Sequence, residues 1–421
     1  MSQFDFGTIN PDTKSGSALA SDLNSWRDAL HSMHRGSTRP TYAVHGMMWI
    51  DDSATPWLVK IYNGSGVGTD TVLGTYDGAT GGFKMMTSAI SDLSPYSFSK
   101  LDPSSVAFTK TSAGTISIKA GTYVLVATSM VSFSTNTAVV MPTHTIGTNY
   151  YIYACTNGTV RADANASAPT GYTTANSRKI GGYHYGRIRN TLTVTNVATE
   201  IVPRSLWDLT YRPKCNPAGM VDVHGNGSLW ADIYLAAVDS AITLTSGVVT
   251  AGTCKSIYNG TPLSGTEGLH GYSFIELAKN SGKRLLTHSE WLAVAHGSPQ
   301  GNDGDNLNAW SATTNSARTG TGQVARAVSF VGACDCVGNV WEWVDEWSND
   351  YSTAIAANWY NPMTGQNVGQ QYLYNSTGLR MYLAGGSWSS GVRAGSRALY
   401  AGPPPWDVAT TRGSRFACDG L

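Results

Sequence analysis

The amino-acid sequence predicts a mostly β protein with a few helices, of the α+β class, built from several modules. Short apolar segments alternate with turn dipeptides along most of the chain. Glycine makes up 46 of the 421 residues, and only 13% of residues are charged, against roughly 25% in ordinary soluble domains. A chain of this length exceeds the size at which one hydrophobic core keeps growing. We therefore expect two or three domains.

The first element is a helix predicted over residues 16–35 and ended by Gly36. Its apolar residues are spaced four and three positions apart, which places them on one helix face. They are Leu19, Leu23, Trp26, Leu30 and Met33. Two heptads are short for an independent coiled coil, but the stripe can pair with copies of itself if the rest of the chain holds them together. Packing of the helix on its own domain is the alternative.

Short antiparallel strands are predicted after the helix. Between residues 42 and 86, turn dipeptides such as Asn63-Gly64 and Asp77-Gly78 separate apolar segments. Residues 106–126 alternate apolar and polar positions, with one phase formed by Val106, Phe108, Ile116, Ile118 and Val124. We therefore expect a β-rich region over residues 1–95 and a β-sandwich over residues 96–200.

A third, aromatic-rich domain is predicted over residues 201–421. Ten of the 13 tryptophans follow Pro203, the other three being Trp26, Trp49 and Trp57. Two helices are expected, over residues 272–279 and 289–296. Thr287 and Glu290 have the T-x-x-E spacing of a capping box, which marks the start of the second helix.

Residues 298–322 are polar and without periodicity, which predicts an irregular surface loop. The oxygens of Asp303, Asp305 and neighbouring asparagines could hold a structural calcium, but their spacing is not that of an EF-hand loop. A solvated loop is the favoured interpretation, and no cofactor is expected.

Charge and cysteine content exclude several function classes. Lysine plus arginine and aspartate plus glutamate each total 28, so the net charge is zero and no basic stripe is present. Nucleic acid is therefore not an expected partner. No leader-like start and no long apolar run is found, so membrane insertion is not expected either. Synthesis in the cytoplasm is expected. All six cysteines are expected to be reduced and mostly buried: Cys155, Cys215, Cys254, Cys334, Cys336 and Cys418.

The last segment, residues 384–421, alternates glycine and aromatic positions with chemically unrelated side chains. The frame consists of Gly385, Gly386, Trp388, Gly395, Arg397, Trp406, Gly413, Arg415 and Phe416. Between these residues lie Ser387, Ser389, Ser390, Arg393, Tyr400, Gly402, Pro403, Asp407, Ala409 and Thr411. A mixture that no single substrate chemistry would choose indicates binding rather than catalysis.

Three stretches resemble the formylglycine-generating-enzyme type of the C-type lectin fold. They are Gly282-Lys283-Arg284-Leu285 with Thr287, Glu290 and Trp291; Val337-Gly338-Asn339-Val340-Trp341-Glu342-Trp343; and Ala384-Gly385-Gly386-Ser387-Trp388 with Gly413-Ser414-Arg415-Phe416. The final segment most resembles the variable proteins of diversity-generating retroelements, and among these the phage major tropism determinants. That likeness extends over residues 70–421. The start of the chain, Phe4-Asp5-Phe6-Gly7-Thr8-Ile9-Asn10-Pro11, is similar instead to the starts of phage tail-fibre proteins.

The resemblance implies a scaffold that presents variable contacts. In the family, error-prone reverse transcription randomises adenines, and Asn codons so treated do not yield Lys, Glu, Gln, Met or Trp. None of these five residue types occurs at the interleaved positions named above, which are the expected receptor contacts. Gly385, Gly386, Trp388, Trp406, Arg415 and Phe416 are the expected scaffold. Core packing is expected for both tryptophans, although Trp406, Arg393 and Tyr400 are also the residues best suited to anchor a partner.

Enzyme activity is not expected. The oxidases of the same superfamily need a reactive cysteine pair after the Gly-Gly-Ser-aromatic motif, and residues 388–395 contain no cysteine. The nine histidines form no H-x-x-x-H cluster, and His288 is expected to be solvated or to cap a helix. No G-x-S-x-G elbow is present. The Glu-Pro-Asn and Gln-Pro-Asp triplets of calcium-dependent sugar lectins are also absent.

The sequence therefore predicts a homotrimeric phage tail-tip receptor-binding protein that determines host tropism. The resemblance implies an N-terminal helix and β-prism-like region that attaches to the phage tail, a β-sandwich, and a C-terminal C-type lectin domain. That domain would display its diversified face to a bacterial cell-surface receptor, taken to be a protein. A glycan-binding lectin module and a non-binding structural fibre module are the alternatives.

Overall fold

The computed structural model describes residues 10, 12–64, 66, 69–85, 98–191, 193–301, 306–349, 356–363, 366–374 and 377–421. The chain divides into two compact units, residues 1–97 with 128–130 and residues 98–127 with 131–421. Most of the tail-fibre-like start, residues 4–9 and 11, lies outside the described residues, as do Asp303 and Asp305 of the candidate calcium loop. In the described part of the chain, no helix combines the length and apolar character that a bilayer crossing requires.

The first unit contains the expected helix, α1 (Gly16–His31), whose first turn is capped by the Ser15 side chain. The helix ends before Gly36 because Met33 and His34 adopt the left-handed conformation, at φ 53° and 52°. Gly36 does not end the helix and instead forms an isolated bridge with Asp51. An antiparallel four-stranded sheet follows, in the order β1 (Met48–Asp51), β2 (Trp57–Ile61), β3 (Thr71–Tyr76), β4 (Phe83–Met85).

The apolar stripe of α1 is not buried in its own unit. Leu23, Leu30 and Met33 are 46%, 45% and 40% exposed, whereas Ala29, off the stripe, is fully buried. The helix therefore packs on its unit mainly through Ala29, and these three side chains of the stripe are only partly covered by their own unit. Apolar surface left exposed in this way commonly marks a contact with another chain.

The first part of the second unit packs three sheets around one core. The first sheet contains β6 (Phe108–Ser112), β7 (Thr115–Ile118) and β10 (Thr137–Ala138), in the order β10-β7-β6. The second contains β5 (Phe98–Ser99), β8 (Thr122–Val126) and β9 (Ser129–Phe133), in the order β5-β8-β9. The third has the order β12-β11-β13-β14 with β15 on β13, and comprises β11 (Thr148–Cys155), β12 (Val160–Asp163), β13 (Ser177–Arg189), β14 (Val197–Ile201) and β15 (Trp207–Asp208). Phe108, Ile116, Ile118 and Val124 are buried in the shared core, as their alternation predicts.

The remainder of the second unit is an α+β region with two sheets and a hairpin. One sheet has the order β16-β17-β27-β20, from β16 (Met220–Asp222), β17 (Leu229–Asp232), β20 (Arg284–Leu285) and β27 (Phe416–Asp419). The hairpin joins β18 (Ala236–Thr245) to β19 (Val248–Ser256). The six-stranded sheet has the order β22-β23-β25-β24-β21-β26, from β21 (Trp341–Ser348), β22 (Asn358–Tyr360), β23 (Gln371–Leu373), β24 (Arg380–Ala384), β25 (Leu399–Tyr400) and β26 (Arg412–Gly413).

Both predicted helices of this region are present, as α2 (Gly271–Asn280) and α3 (His288–Ala295). The predicted capping box is confirmed: the Glu290 amide donates to Thr287 Oγ1 at 3.3 Å, and the Thr287 amide donates to Glu290 Oε2 at 2.9 Å. The expectation for His288 is wrong, since its ring is half-buried and Thr287 supplies the cap. Burial lowers the pKa of the His288 imidazole.

The segment over residues 298–322 has no regular helix or strand in its described part, but it is not a solvated surface loop. Ser311 and Thr321 are fully buried. Asn306 Oδ1 accepts hydrogen bonds from the amides of Ser311 and Ala312, and Asn315 Nδ2 donates to the Trp388 carbonyl at 3.0 Å. These bonds satisfy backbone groups of an irregular segment and tie it to the carboxyl-terminal region.

Candidate binding surface

Two glycines fix the course of the chain as it leaves β24. Gly385 and Gly386 have φ angles of 93° and 100°, which side chains other than hydrogen rarely allow. A Cβ atom on Gly385 would lie 2.3 Å from the Cys336 carbonyl oxygen, and one on Gly386 would lie 2.4 Å from Ala394 Cβ. Both positions therefore require glycine, as the expected scaffold role demands.

Arg415 ties the end of the chain to the core. Its side chain is fully buried, and its Nε donates to Glu342 Oε2 at 3.0 Å. Nη1 donates to the carbonyls of Asp232 and Ile233 at 2.8 and 2.7 Å, and Nη2 donates to the Cys334 carbonyl. One guanidinium group thus joins three separate chain segments, and each of its three nitrogens has an acceptor.

The two scaffold tryptophans differ in burial. Trp388 is 7% exposed and Phe416 is fully buried, as expected, but Trp406 is 57% exposed. The expectation of core packing for Trp406 is therefore wrong. The cause is a turn in which the Asp407 amide donates to the Pro404 carbonyl at 3.1 Å, so that Trp406 lies at the turn's outer corner. Its exposed ring fits the alternative role, that of a binding anchor.

The expected contact residues divide into exposed and buried sets. Exposed or half-buried are Ser389, Ser390, Arg393, Tyr400, Asp407, Ala409 and Thr411. Ser387, Gly402 and Pro403 are buried and do not lie on the surface of the chain. The reasons are local: the Ser387 amide donates to Ser390 Oγ at 2.9 Å, the ring of Tyr400 covers Gly402, and the Pro403 carbonyl accepts from β24.

A row of aromatic rings crosses the six-stranded sheet beside these residues. In the strand register Trp359 is opposite Tyr372, and Tyr372 is opposite Tyr400. The ring centroids of Trp359 and Tyr372 are 5.1 Å apart, those of Tyr372 and Tyr400 are 5.2 Å apart, and those of Trp359 and Tyr400 are 5.5 Å apart. We call Trp359, Tyr372 and Tyr400 the aromatic row. Rings at these separations stabilise one another beyond simple burial.

Arginines extend the aromatic row on the same surface. The guanidinium carbon of Arg393 lies 4.9 Å from the ring centroid of Trp359, and that of Arg412 lies 5.8 Å from the ring centroid of Tyr400. Arg412 also forms an ion pair with Asp407. Burial raises the pKa of the Tyr400 phenol, which therefore remains a neutral hydroxyl near neutral pH. Arg393, Tyr400 and Asp407 thus belong to one connected patch.

Sequence reasoning did not assign Trp359 and Tyr372 to this surface. Both lie upstream of residue 384, the expected start of the variable segment. The available signal was the density of aromatic residues at Trp359-Tyr360 and Tyr372-Leu373-Tyr374. The strand pairing that brings them against Tyr400 includes a parallel contact between β23 and β25. No pattern of neighbouring residues predicts such a pairing.

Comparisons with known proteins give matches in both sequence and structure. Residues 106–208 match the family model described as the Mtd second domain. The chain is 37% identical over 362 residues to the tail fiber receptor-binding protein of Bordetella phage BPP-1, covering 82% of this chain and 90% of that protein. Among solved structures, the Major Tropism Determinant U1 variant is 30% identical, with 90% and 96% of the two chains covered and a TM-score of 0.64. The P3c variant gives 30% identity, coverage of 93% and 97%, and a TM-score of 0.64.

Proposed function

The chain belongs to the family of the phage major tropism determinants, and we propose that it is the receptor-binding protein of a phage tail fibre, which selects the bacterial host. The observation that carries this is 37% identity over 90% of a tail fiber receptor-binding protein. Its place is the virion tail, to which its N-terminal region attaches. The relatives are receptor-binding proteins, and binding without catalysis is the activity proposed here.

The receptor is bound by the patch formed by the aromatic row, Arg393 and Trp406. Tyrosine, tryptophan and arginine contribute the most contact energy per side chain at protein interfaces. Here Trp406 is 57% exposed and Arg393 is exposed, so each can enter a partner's pocket without unfolding the sheet. A protein receptor on the bacterial surface fits this mixture of aromatic and charged groups.

Diversity at this surface is compatible with a constant fold. The proposed variable contacts are those that the structure exposes at least in part: Ser389, Ser390, Arg393, Tyr400, Asp407, Ala409 and Thr411. The buried glycine pair and the Arg415–Glu342 ion pair fix the backbone beneath them. Substitutions at surface positions away from such features usually change stability by about 0.5 kcal/mol or less. The contact residues can therefore vary while the backbone beneath them keeps its conformation.

The protein acts as a homotrimer. Support comes from the exposed stripe of α1, where Leu23 and Leu30 present apolar surface seven residues apart. Three copies of the binding patch on one fibre convert weak single-site binding into avidity. Removal of the stripe should then weaken adhesion to cells more than it weakens binding by one patch.

The test is adhesion of the labelled full chain to a panel of bacterial strains, taking the strain that binds best as host. We expect a variant carrying Arg393→Ala, Tyr400→Ala, Asp407→Ala and Thr411→Ala to remain folded at the assay temperature, with a lowered unfolding temperature, and to lose adhesion. The matched control carries Asp239→Ala and Lys255→Ala, an exposed ion pair on the β18–β19 hairpin, and should bind normally.

Three outcomes would contradict parts of the proposal. Unfolding of the four-site variant, or an unchanged choice of host strain, would contradict the proposal that the contact residues are distinct from the residues that hold the fold. Loss of adhesion after enzymatic deglycosylation of the cells, but not after protease treatment, would favour a glycan-binding lectin over a protein-binding one. Failure to bind any untreated strain would favour a structural fibre module.

A further inference from the structure

Two cysteines meet where the chain enters the carboxyl-terminal region and where the sequence ends. Pro213 and Gly420 form an antiparallel bridge. On either side of it, the Lys214 amide donates to the Asp419 carbonyl and the Leu421 amide donates to the Arg212 carbonyl, each at 3.0 Å. Continuing this register by two residues from the bridge places Cys215 opposite Cys418, which lies near the end of β27 (Phe416–Asp419).

The two cysteines are in contact, since the Cys215 amide donates to Cys418 Sγ at 3.2 Å. Opposed residues of an antiparallel pair have Cα atoms about 4.5–5.5 Å apart, within the range of about 4.4–6.8 Å found for disulfides. Bond formation at this position therefore needs side-chain rotation rather than movement of the backbone.

The pair differs from the other four cysteines in acidity, and one of its members is accessible. Cys155, Cys254, Cys334, Cys336 and Cys418 are buried, whereas Cys215 is partly exposed. Hydrogen bonding from Cys215 lowers the pKa of Cys418 to about 6, while the same contact and burial raise the pKa of Cys215, and burial raises the pKa of Cys254 to about 12. Cys418 thus carries thiolate near neutral pH, and Cys215 can be reached by a small oxidant.

We propose that Cys215 and Cys418 form a disulfide when the folded protein meets a low-molecular-weight disulfide such as glutathione disulfide. Cys215, the accessible partner, loses its proton to water, and its thiolate attacks one sulfur of the oxidant and displaces one glutathione thiolate. The Cys418 thiolate then attacks the Cys215 sulfur and displaces the second glutathione thiolate. The two leaving thiolates take up the two protons that the cysteines have released. Two protein thiols and one glutathione disulfide become one protein disulfide and two glutathione thiols.

The bond would close a loop spanning 203 positions that contains most of the carboxyl-terminal region, including residues 384–417. Closing a long loop removes conformations from the unfolded chain and so raises the stability of the folded one. Disulfides persist in oxidising surroundings such as the outside of a cell or virion. The inference goes beyond receptor binding and does not depend on it, since it concerns residues outside the proposed binding patch.

The test uses the purified full chain, reduced and then incubated with glutathione disulfide. Free thiols are blocked with iodoacetamide after denaturation, and the peptides are identified by mass spectrometry. We expect a mass loss of about 2 Da before blocking, since a disulfide forms with loss of two hydrogens. A single linked peptide pair should contain Cys215 and Cys418, with the other four cysteines alkylated. The oxidised protein should unfold at a temperature higher by about 5 °C or more.

Two variants serve as controls. Cys215→Ser should abolish the linked peptide and the temperature shift, whereas Cys254→Ser, which removes a neighbouring buried thiol, should keep both. Alkylation of Cys215 and Cys418 in the oxidised sample, a lasting glutathione adduct on Cys215, or linkage of another pair would each overturn the proposal. An unchanged or lower unfolding temperature of the linked protein would overturn its stabilising role.

Discussion

Replacement of Glu342 by glutamine should destabilise the carboxyl-terminal region far more than replacement of Asp407 by asparagine. Each change removes the negative partner of one arginine in the final segment. The Arg415–Glu342 side chains are 0% and 1% exposed, whereas those of Arg412–Asp407 are 10% and 39% exposed. Loss of one partner from a fully buried pair costs about 3–5 kcal/mol, because a charge is left buried without compensation. Loss of the Asp407 carboxylate, which is itself exposed to solvent, costs about 1 kcal/mol.

Thermal unfolding followed by tryptophan fluorescence measures the difference, since most tryptophans lie in this region. At about 2–4 °C per kcal/mol, Glu342→Gln should lower the unfolding temperature by roughly 10 °C, and Asp407→Asn by no more than about 4 °C. Adhesion to host cells should show the reverse order once both variants are folded at the assay temperature. Equal decreases in unfolding temperature for the two variants, or a negligible decrease for Glu342→Gln, would refute the distinction between residues that hold the fold and contact residues.

Three further predictions follow from burial. Trp388→Ala should lower the free energy of unfolding by about 3–5 kcal/mol, whereas Trp406→Ala should change it by about 0.5 kcal/mol and reduce adhesion instead; denaturant titration of both variants checks this. Burial lowers the pKa of His184 to about 3, so between that pH and about 6.5 the unfolded chain binds a proton that the folded chain does not. The stability contributed by His184 is therefore full above about pH 6.5 and falls as the pH decreases towards 3. His184→Gln should flatten this dependence of the unfolding temperature on pH. Leu23→Ser with Leu30→Ser should reduce the sedimentation coefficient of the assembly if α1 joins the chains; an unchanged coefficient would place the contacts elsewhere.

Local sequence rules predicted those features that depend on neighbouring residues. The Thr287–Glu290 capping box requires only a four-residue spacing, and the burial of Phe108 and Ile118 follows from strand alternation. The requirement for glycine at residues 385 and 386 also lies within the backbone itself. These parts of the fold could be predicted because the determining contacts are close in sequence or repeat with the period of the element.

Other features depend on contacts that no local pattern encodes. The helix stops before Gly36 because Met33 and His34 adopt φ angles that propensity assigns to glycine. Trp406 is exposed because a turn directs it outwards, although large aromatic residues are usually buried. Trp359 and Tyr372 reach Tyr400 through pairing of strands that are distant in the chain, so a search confined to the final segment misses two of the three rings of the aromatic row.

The position of β27 has a consequence for how the protein is made. This strand, formed by nearly the last residues of the sequence, lies between β17 and β20 in the interior of its sheet. A growing polypeptide therefore cannot complete that sheet until Asp419 has emerged from the ribosome. Any copy that terminates early lacks both the central strand and the Arg415 anchor. Copies truncated before β27 should therefore be unstable, so the binding patch is presented only on chains that continue through this strand.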